Sequence, residues 1–222
     1  MKVLAFTDIH GNAEQFHRIR NEIADAELII LAGDITNFGR RRELHQILQN
    51  LTVFDNEVVA VHGNCDFPEV LQELQTTDLS IHGLVREING CSFLGLGGSI
   101  PCPGNTPSEY SETELAEILE KTYSRLSKDN DFVMVSHQPP VNTINDIVHG
   151  GRHVGSHAVR AFIEKYQPLA CITGHIHEGI GIDKIGRTQI INPGPFRNGY
   201  YFTFSLHDEV RDIELKQIQP GI

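Results

Sequence analysis

No apolar run in this 222-residue chain approaches the roughly 20 residues that cross a bilayer as a helix. A membrane partner is therefore not expected. The opening stretch, Met1 to Asp8, is too short and too soon polar for a signal peptide. It reads instead as a core strand. Basic residues are scarce, 18 Lys and Arg against 29 Asp and Glu, which leaves a net charge of -11. That balance argues against a broad cationic surface for long nucleic acid. It leaves room for a short phosphodiester, because divalent cations held in a pocket invert the local field. Cysteine occurs only at 65, 91, 102 and 171, never as a CxxC pair. Free thiols in a reducing cytoplasm are expected rather than a disulfide framework. Internal repeats, low-complexity segments and linkers are absent. One domain over residues 1–222 is expected, long enough for one substantial core.

What is present is a recurring juxtaposition. Apolar, strand-like runs at 3–6, 28–32, 58–61, 132–135 and 169–172 each precede a short polar cluster. The clusters are Asp8-Ile9-His10, Gly33-Asp34, Gly63-Asn64-Cys65-Asp66, Ser136-His137 and Gly174-His175-Ile176-His177. Asp, His and Asn at the ends of several strands suit a two-metal hydrolytic centre. Carboxylate oxygen and imidazole nitrogen bind hard-to-borderline divalent ions. Two such ions roughly 3.5–4 Å apart clamp both the attacking and the leaving oxygen of a phosphoryl group.

The first third alternates strand and helix. Asn12 is placed to cap a helix carrying Phe16, Ile19 and Ile23. A second helix near 41–51 carries Leu44, Ile47, Leu48 and Leu51. This βαβαβ order implies parallel pairing. In the middle, 84–88 and 92–96 read as a hairpin turning at Asn89-Gly90. Residues 97–107, rich in Gly and Pro, read as an exposed loop. An amphipathic helix is expected over 112–126. Pro139 and Pro140 forbid a helix directly after His137. Ser156 suits the N-cap of a helix running to about residue 166. Strands are expected again at 180–185, 188–191, 200–206 and 210–217. Parallel units in front and antiparallel hairpins behind suggest two packed sheets with helices outside.

Taken in order, Asp8-x-His10, Gly33-Asp34, Gly63-Asn64-x-Asp66, His137 and Gly174-His175-x-His177 resemble the calcineurin-like metallophosphoesterase family. The resemblance runs from Asp8 to His177. It implies an α/β fold, a four-layer α-β-β-α sandwich with two mixed sheets. It implies that Asp8, His10 and His177 hold one metal, that Asn64, His137 and His175 hold the second, and that Asp34 bridges both. The expected cofactors are two divalent ions, manganese first, with Fe, Zn, Ni and Co as alternatives. A hydroxide between the ions is then the nucleophile, and Asp34, Asn64 and Asp66 are the expected catalytic residues.

One position departs from many phosphomonoesterases and protein phosphatases of that family. They carry His after the Asn, whereas this chain carries Cys65. A thiol is a weak donor and a poor proton shuttle. Small bacterial and archaeal phosphodiesterases of the family resemble this chain here, so a small or nucleotide-like phosphodiester is the expected substrate. A broad phosphomonoesterase and a non-catalytic scaffold on the same fold are the alternatives. Asn64, Arg152 and His153 are the expected substrate contacts, the last two in the Gly-rich stretch 149–157, which reads equally as a solvent loop. Asn192-Pro193-Gly194 turns the chain so that Phe196 and Arg197 could stack on or grip a base.

Overall fold

The structure is a computed structural model that describes residues 1–127 and 131–219. The first third runs β1 (Lys2–Phe6), α1 (Gln15–Arg18), α2 (Arg20–Ala24), β2 (Leu28–Ala32), α3 (Arg41–Leu48), β3 (Glu57–Val61) and α4 (Pro68–Thr76). The middle runs β4 (Val85–Ile88), β5 (Cys91–Leu96), α5 (Glu112–Tyr123), β6 (Phe132–Ser136), β7 (Ile147–Val148), β8 (Arg152–His153), α6 (His157–Tyr166) and β9 (Ala170–Thr173). The last quarter is β10 (Gly181–Ile185), β11 (Thr188–Asn192), β12 (Tyr200–Leu206) and β13 (Val210–Gln217).

The strands form two mixed sheets and a short β7–β8 ribbon. The first sheet has the order β13-β12-β1-β2-β3, with β1, β2 and β3 parallel. The second has the order β10-β11-β9-β6-β5-β4, with β5, β6, β9 and β11 parallel. Side chains alternate across each strand, and the alternation builds the layers. From the first sheet, Val3, Ala5, Ile30 and Val59 meet Phe93, Val133, Val135 and Ile172 of the second in a central core. Leu4, Phe6, Leu31 and Val58 point the other way, against Phe16, Ile23, Leu44, Ile47, Val70 and Leu74 of α1 to α4. Leu94, Met134 and Ile190 pack on Leu115, Leu119, Val159 and Phe162 of α5 and α6. The result is the expected α-β-β-α sandwich. Strands covered on both faces lose polar alternation, which is why β2 reads Leu-Ile-Ile-Leu-Ala and is buried throughout.

Local signals place several elements. Asn89 and Gly90, with φ of 49° and 81°, close the β4–β5 hairpin. Ser111 and Glu114 form a capping box that starts α5. Ser156 accepts from the Val159 amide and starts α6. Elsewhere the structure departs from expectation. Asn12 does not cap; its amide donates to the Arg197 carbonyl. The helix it was to start is two short ones, broken at Ile19, whose φ of −122° is not helical. Helix α4 was not anticipated, although Pro68 at its first turn and Val70 with Leu74 on its buried face are its signals. The 97–107 loop is exposed only in part, since Gly97 and Gly98 are buried. No helix among the described residues is long and apolar enough to cross a membrane.

Candidate metal centre

The carboxyl ends of β1, β2 and β3 meet those of β6 and β9 at one rim of the sandwich, which is where ligands bind in open α/β sheets. Asp8 and His10 follow β1, Asp34 follows β2, Asn64 follows β3, His137 follows β6, and His175 and His177 follow β9. Four of these seven, Asp8, His10, Asp34 and His175, adopt left-handed backbone with φ between 46° and 68°. Such conformations are sparse for non-glycine residues and cluster at functional sites. Glycines make room for the close approach. A Cβ at Gly63 would collide with the Asp34 backbone nitrogen and carboxylate, and one at Gly174 would strike the Thr7 hydroxyl.

Two groups of donors converge. In the first, Asp8 Oδ1 lies 3.2 Å from His177 Nε2, and His10 Nε2 lies 3.3 Å from the same nitrogen. In the second, His137 Nε2 lies 3.0 Å from Asn64 Oδ1 and 3.4 Å from Asp34 Oδ1. Asp34 joins them, because its other oxygen, Oδ2, lies 3.7 Å from His10 Nε2. One carboxylate thus presents an oxygen to each group. The His175 ring packs edge-on to His137 with centroids 5.3 Å apart, and its backbone amide donates to Asp8 Oδ2.

The donor set fits a divalent cation. His137 Nδ1 lies 2.8 Å from the Ala32 carbonyl oxygen, which can only accept, so Nδ1 carries the proton. In the neutral tautomer with that proton on Nδ1, Nε2 is a bare lone pair. It faces two oxygens that are electron-rich as well. Three such donor atoms converging on one point suit a divalent cation placed among them. The same electrostatics appears in the carboxylates. Burial, reinforced by Asp8 and Asp66, pushes the Asp34 carboxyl up to about 6 against the pull of His137. For Asp8, burial is outweighed by the His177 hydrogen bond and the nearby imidazoles, and its carboxyl is held well below the usual range. Burial pulls His10 down to about 4 and His175 to about 3. Both are therefore neutral near pH 7, the form that ligates metal. His10 Nδ1 is buried without a hydrogen-bond partner among the described residues.

The other expected residues fall as follows. Asp66 is fully buried, and both its oxygens are engaged by the amides of Ile35, Thr36 and Gly63 and the Thr36 hydroxyl. It clamps the loop that carries Asp34 to the loop that carries Asn64. Arg152 and His153 form β8 and, with His175, line a cavity of about 620 Å³. Phe196 does not face the site; it is buried against Phe6 and Phe16, where edge-on and stacked ring contacts replace any contact with a base. Arg197 does reach the rim, with Nη2 3.2 Å from His177 Nδ1. Two features escaped the sequence reading. The Cys65 thiol sits within 4.8 Å of the His10 and Asp34 ligand atoms. The His153 imidazole is tied to Asp146, a residue that carried no motif.

The sequence pattern of the calcineurin-like phosphoesterase family matches residues 1–179. The uncharacterized protein MJ1162 of Methanocaldococcus jannaschii is 40% identical over 199 residues, 88% of this chain and 88% of that protein. The phosphodiesterase YfcE of Escherichia coli is 31% identical over 74 residues, 30% of this chain and 40% of its own length. Among solved structures, protein TT1561 of Thermus thermophilus superposes with a TM-score of 0.79 at 21% identity, covering 98% of this chain and 99% of its own.

Proposed function

The chain belongs to the calcineurin-like phosphoesterase family, and from that premise we propose that it is a two-metal phosphodiesterase for a small or nucleotide-like substrate. Asp8, His10 and His177 would hold one ion, Asn64, His137 and His175 the other, with Asp34 shared; manganese is the metal we propose. The observation that carries this reading is the split carboxylate of Asp34, with Oδ2 near His10 and Oδ1 near His137. Bound divalent ions would neutralise phosphoryl oxygens and make water nucleophilic near neutral pH.

The chain's own groups do the rest. The Ala32 carbonyl fixes the His137 tautomer, so that Nε2 is free to ligate. Asp66 holds the Asp34 and Asn64 loops in register through four hydrogen bonds. Arg152, His153 and Asn64 are the proposed substrate contacts. Arg197 beside His177 adds a guanidinium at the rim, suited to a phosphate oxygen.

The preference for diesters rests on Cys65. Burial, with Asp34 beside it, pushes the thiol far up, so it stays protonated and is no nucleophile. A monoester of an alkyl alcohol gains most from an imidazole acid at that position, and none is there. The likeness to YfcE supports the same class of substrate. The test is kcat/KM with Mn for bis(p-nitrophenyl) phosphate and p-nitrophenyl phosphate. The diester is expected to be preferred, Cys65→His to shift the ratio towards the monoester, and Cys65→Ala to leave diester turnover nearly intact. A wild type that prefers the monoester would assign the site to a broad phosphomonoesterase instead.

A further inference from the structure

The cavity beside the centre joins His175 to Arg152 and His153, and its walls include Ile100, Val141 and Val154. His153 is not free to turn within it. Its Nδ1 donates to Asp146 Oδ1 at 2.6 Å. Asp146 is fully buried and also accepts from the backbone amides of Asn142, Thr143 and Gly155 at 3.2, 3.0 and 2.9 Å. Three backbone donors already satisfy that carboxylate. The imidazole is the group that gains from the contact, since it is half-exposed and would otherwise sample several rotamers. Its Nε2 is left on the ring edge away from Asp146, without a partner among the described residues. A buried Asp that fixes by Nδ1 a His on a cavity wall, with Nε2 unpartnered among the described residues, is an arrangement for proton transfer.

We propose that His153 is the general acid that protonates the leaving alcohol, that Asp146 is its positioning residue, and that the cavity holds the alcohol's aryl or nucleoside group. This rests on the two-metal reading of the centre. In the step, a water oxygen bonds to phosphorus and releases its proton to solvent. The bond from phosphorus to the alcohol oxygen breaks, and its electron pair stays on that oxygen. The proton on His153 Nε2 transfers there, and the imidazole regains a proton from solvent. The apolar walls favour an organic group over a second phosphate.

The experiment uses the Mn-loaded protein and a series of methyl aryl phosphates, from p-nitrophenol to unsubstituted phenol as leaving group. General acid help of this kind is worth roughly 10²–10⁴-fold. His153→Gln is expected to lower kcat about 100-fold or more for the phenyl ester and only a few-fold for the p-nitrophenyl ester, with KM little changed. His153→Ala should regain phenyl ester turnover with added imidazole. Metal content and melting temperature of His153→Gln should match wild type, and a downfield Nδ1 proton resonance of the wild type should vanish in it. Asp146→Asn should steepen the leaving-group dependence in the same direction; if that variant does not fold, His153→Gln decides alone. Equal losses on both esters, or no loss on either, would overturn the assignment. Asp34→Asn run alongside separates the two failures. If it stays active the two-metal reading fails, whereas an inactive Asp34→Asn beside an indifferent His153→Gln refutes only the acid.

Discussion

Replacing Asp34 by Asn should make the metal-free protein more stable while it destroys the centre. The side chain is buried at 2% exposure and its Oδ1 accepts from the Cys65 amide at 2.8 Å. Asn keeps that acceptor and tolerates the left-handed backbone at this position, so the packing is preserved. What changes is charge. Burial, with Asp8 and Asp66 close by, holds the carboxyl at about 6 against an ordinary 3.8. A raised pKa in the folded state means that the fold prefers the protonated acid. Its contribution to stability is full below about pH 4 and is lost as pH rises through about 6. At about 1.4 kcal/mol per pH unit, the ionised group costs the metal-free fold about 3 kcal/mol at neutral pH. Asn never ionises. In a chelator near pH ~7.5, Asp34→Asn should therefore melt higher than wild type, by up to roughly 6–12 °C for a chain of this length. The gap should close towards pH ~4. Manganese should raise the wild-type melting temperature by mass action and leave Asp34→Asn nearly unmoved, and the variant should have no phosphoesterase activity. Calorimetry across that pH range with and without metal, beside an activity assay, checks these outcomes. A variant no more stable than wild type at neutral pH, or a gap independent of pH, would refute the electrostatic account of this site.

Other outcomes follow from the same geometry. Gly63→Ala should abolish metal binding by calorimetric titration, because its Cβ would displace the backbone and carboxylate of Asp34; normal metal affinity would contradict the close approach. Burial holds His10 at about 4 and His175 at about 3 against 6.5, so the stability tied to their neutral forms is full above about pH 6.5 and is lost as pH falls towards the folded values. The melting temperature of metal-free His175→Gln should accordingly fall less steeply than that of wild type on acidification, and parallel slopes would count against it. Ser156→Ala removes the α6 cap and the hydroxyl that donates to Glu112 at 2.6 Å; a loss of about 1–2 kcal/mol in denaturant unfolding is expected. A thiol reagent at mildly alkaline pH should leave Cys65 unlabelled in the folded protein, since its thiol is pushed far up by burial and Asp34.

Much of the scaffold was legible because its signals are local. Asn89-Gly90 needs positive φ at both positions, and only a narrow set of residues takes that up at little cost. Ser156 satisfies the Val159 amide, three residues on. The signals of helix α4 are local too, but Pro68 directly after the Asp66 motif is also a turn residue, and Val70 with Leu74 makes only a short apolar stripe. The two C-terminal hairpins show where local signals stop. Both read as turns between apolar runs, yet β12–β13 joins β1 in the first sheet and β10–β11 joins β9 in the second. That choice depends on which core can bury Phe202 and Phe204 and which can bury Ile190. Phe196 was misjudged for the same reason. Its neighbours Phe6 and Phe16 are far away in sequence, and nothing nearby says that its ring turns inward.

The sequence by itself determined the identity of the candidate ligands. A carboxylate, an amide oxygen and an imidazole are atoms with particular chemistry, and placing them after successive strands brings them to one rim whatever the details of packing. Tertiary structure decided what each of them is able to do. Only the folded chain brings the Ala32 carbonyl to His137 Nδ1 and so frees Nε2. Only there do the two oxygens of Asp34 part company between His10 and His137. Only there does Asp146 lock His153 at the edge of a cavity. Residue type is written along the chain. Protonation, tautomer and orientation depend on neighbours that long-range contacts supply, and these the linear order does not contain.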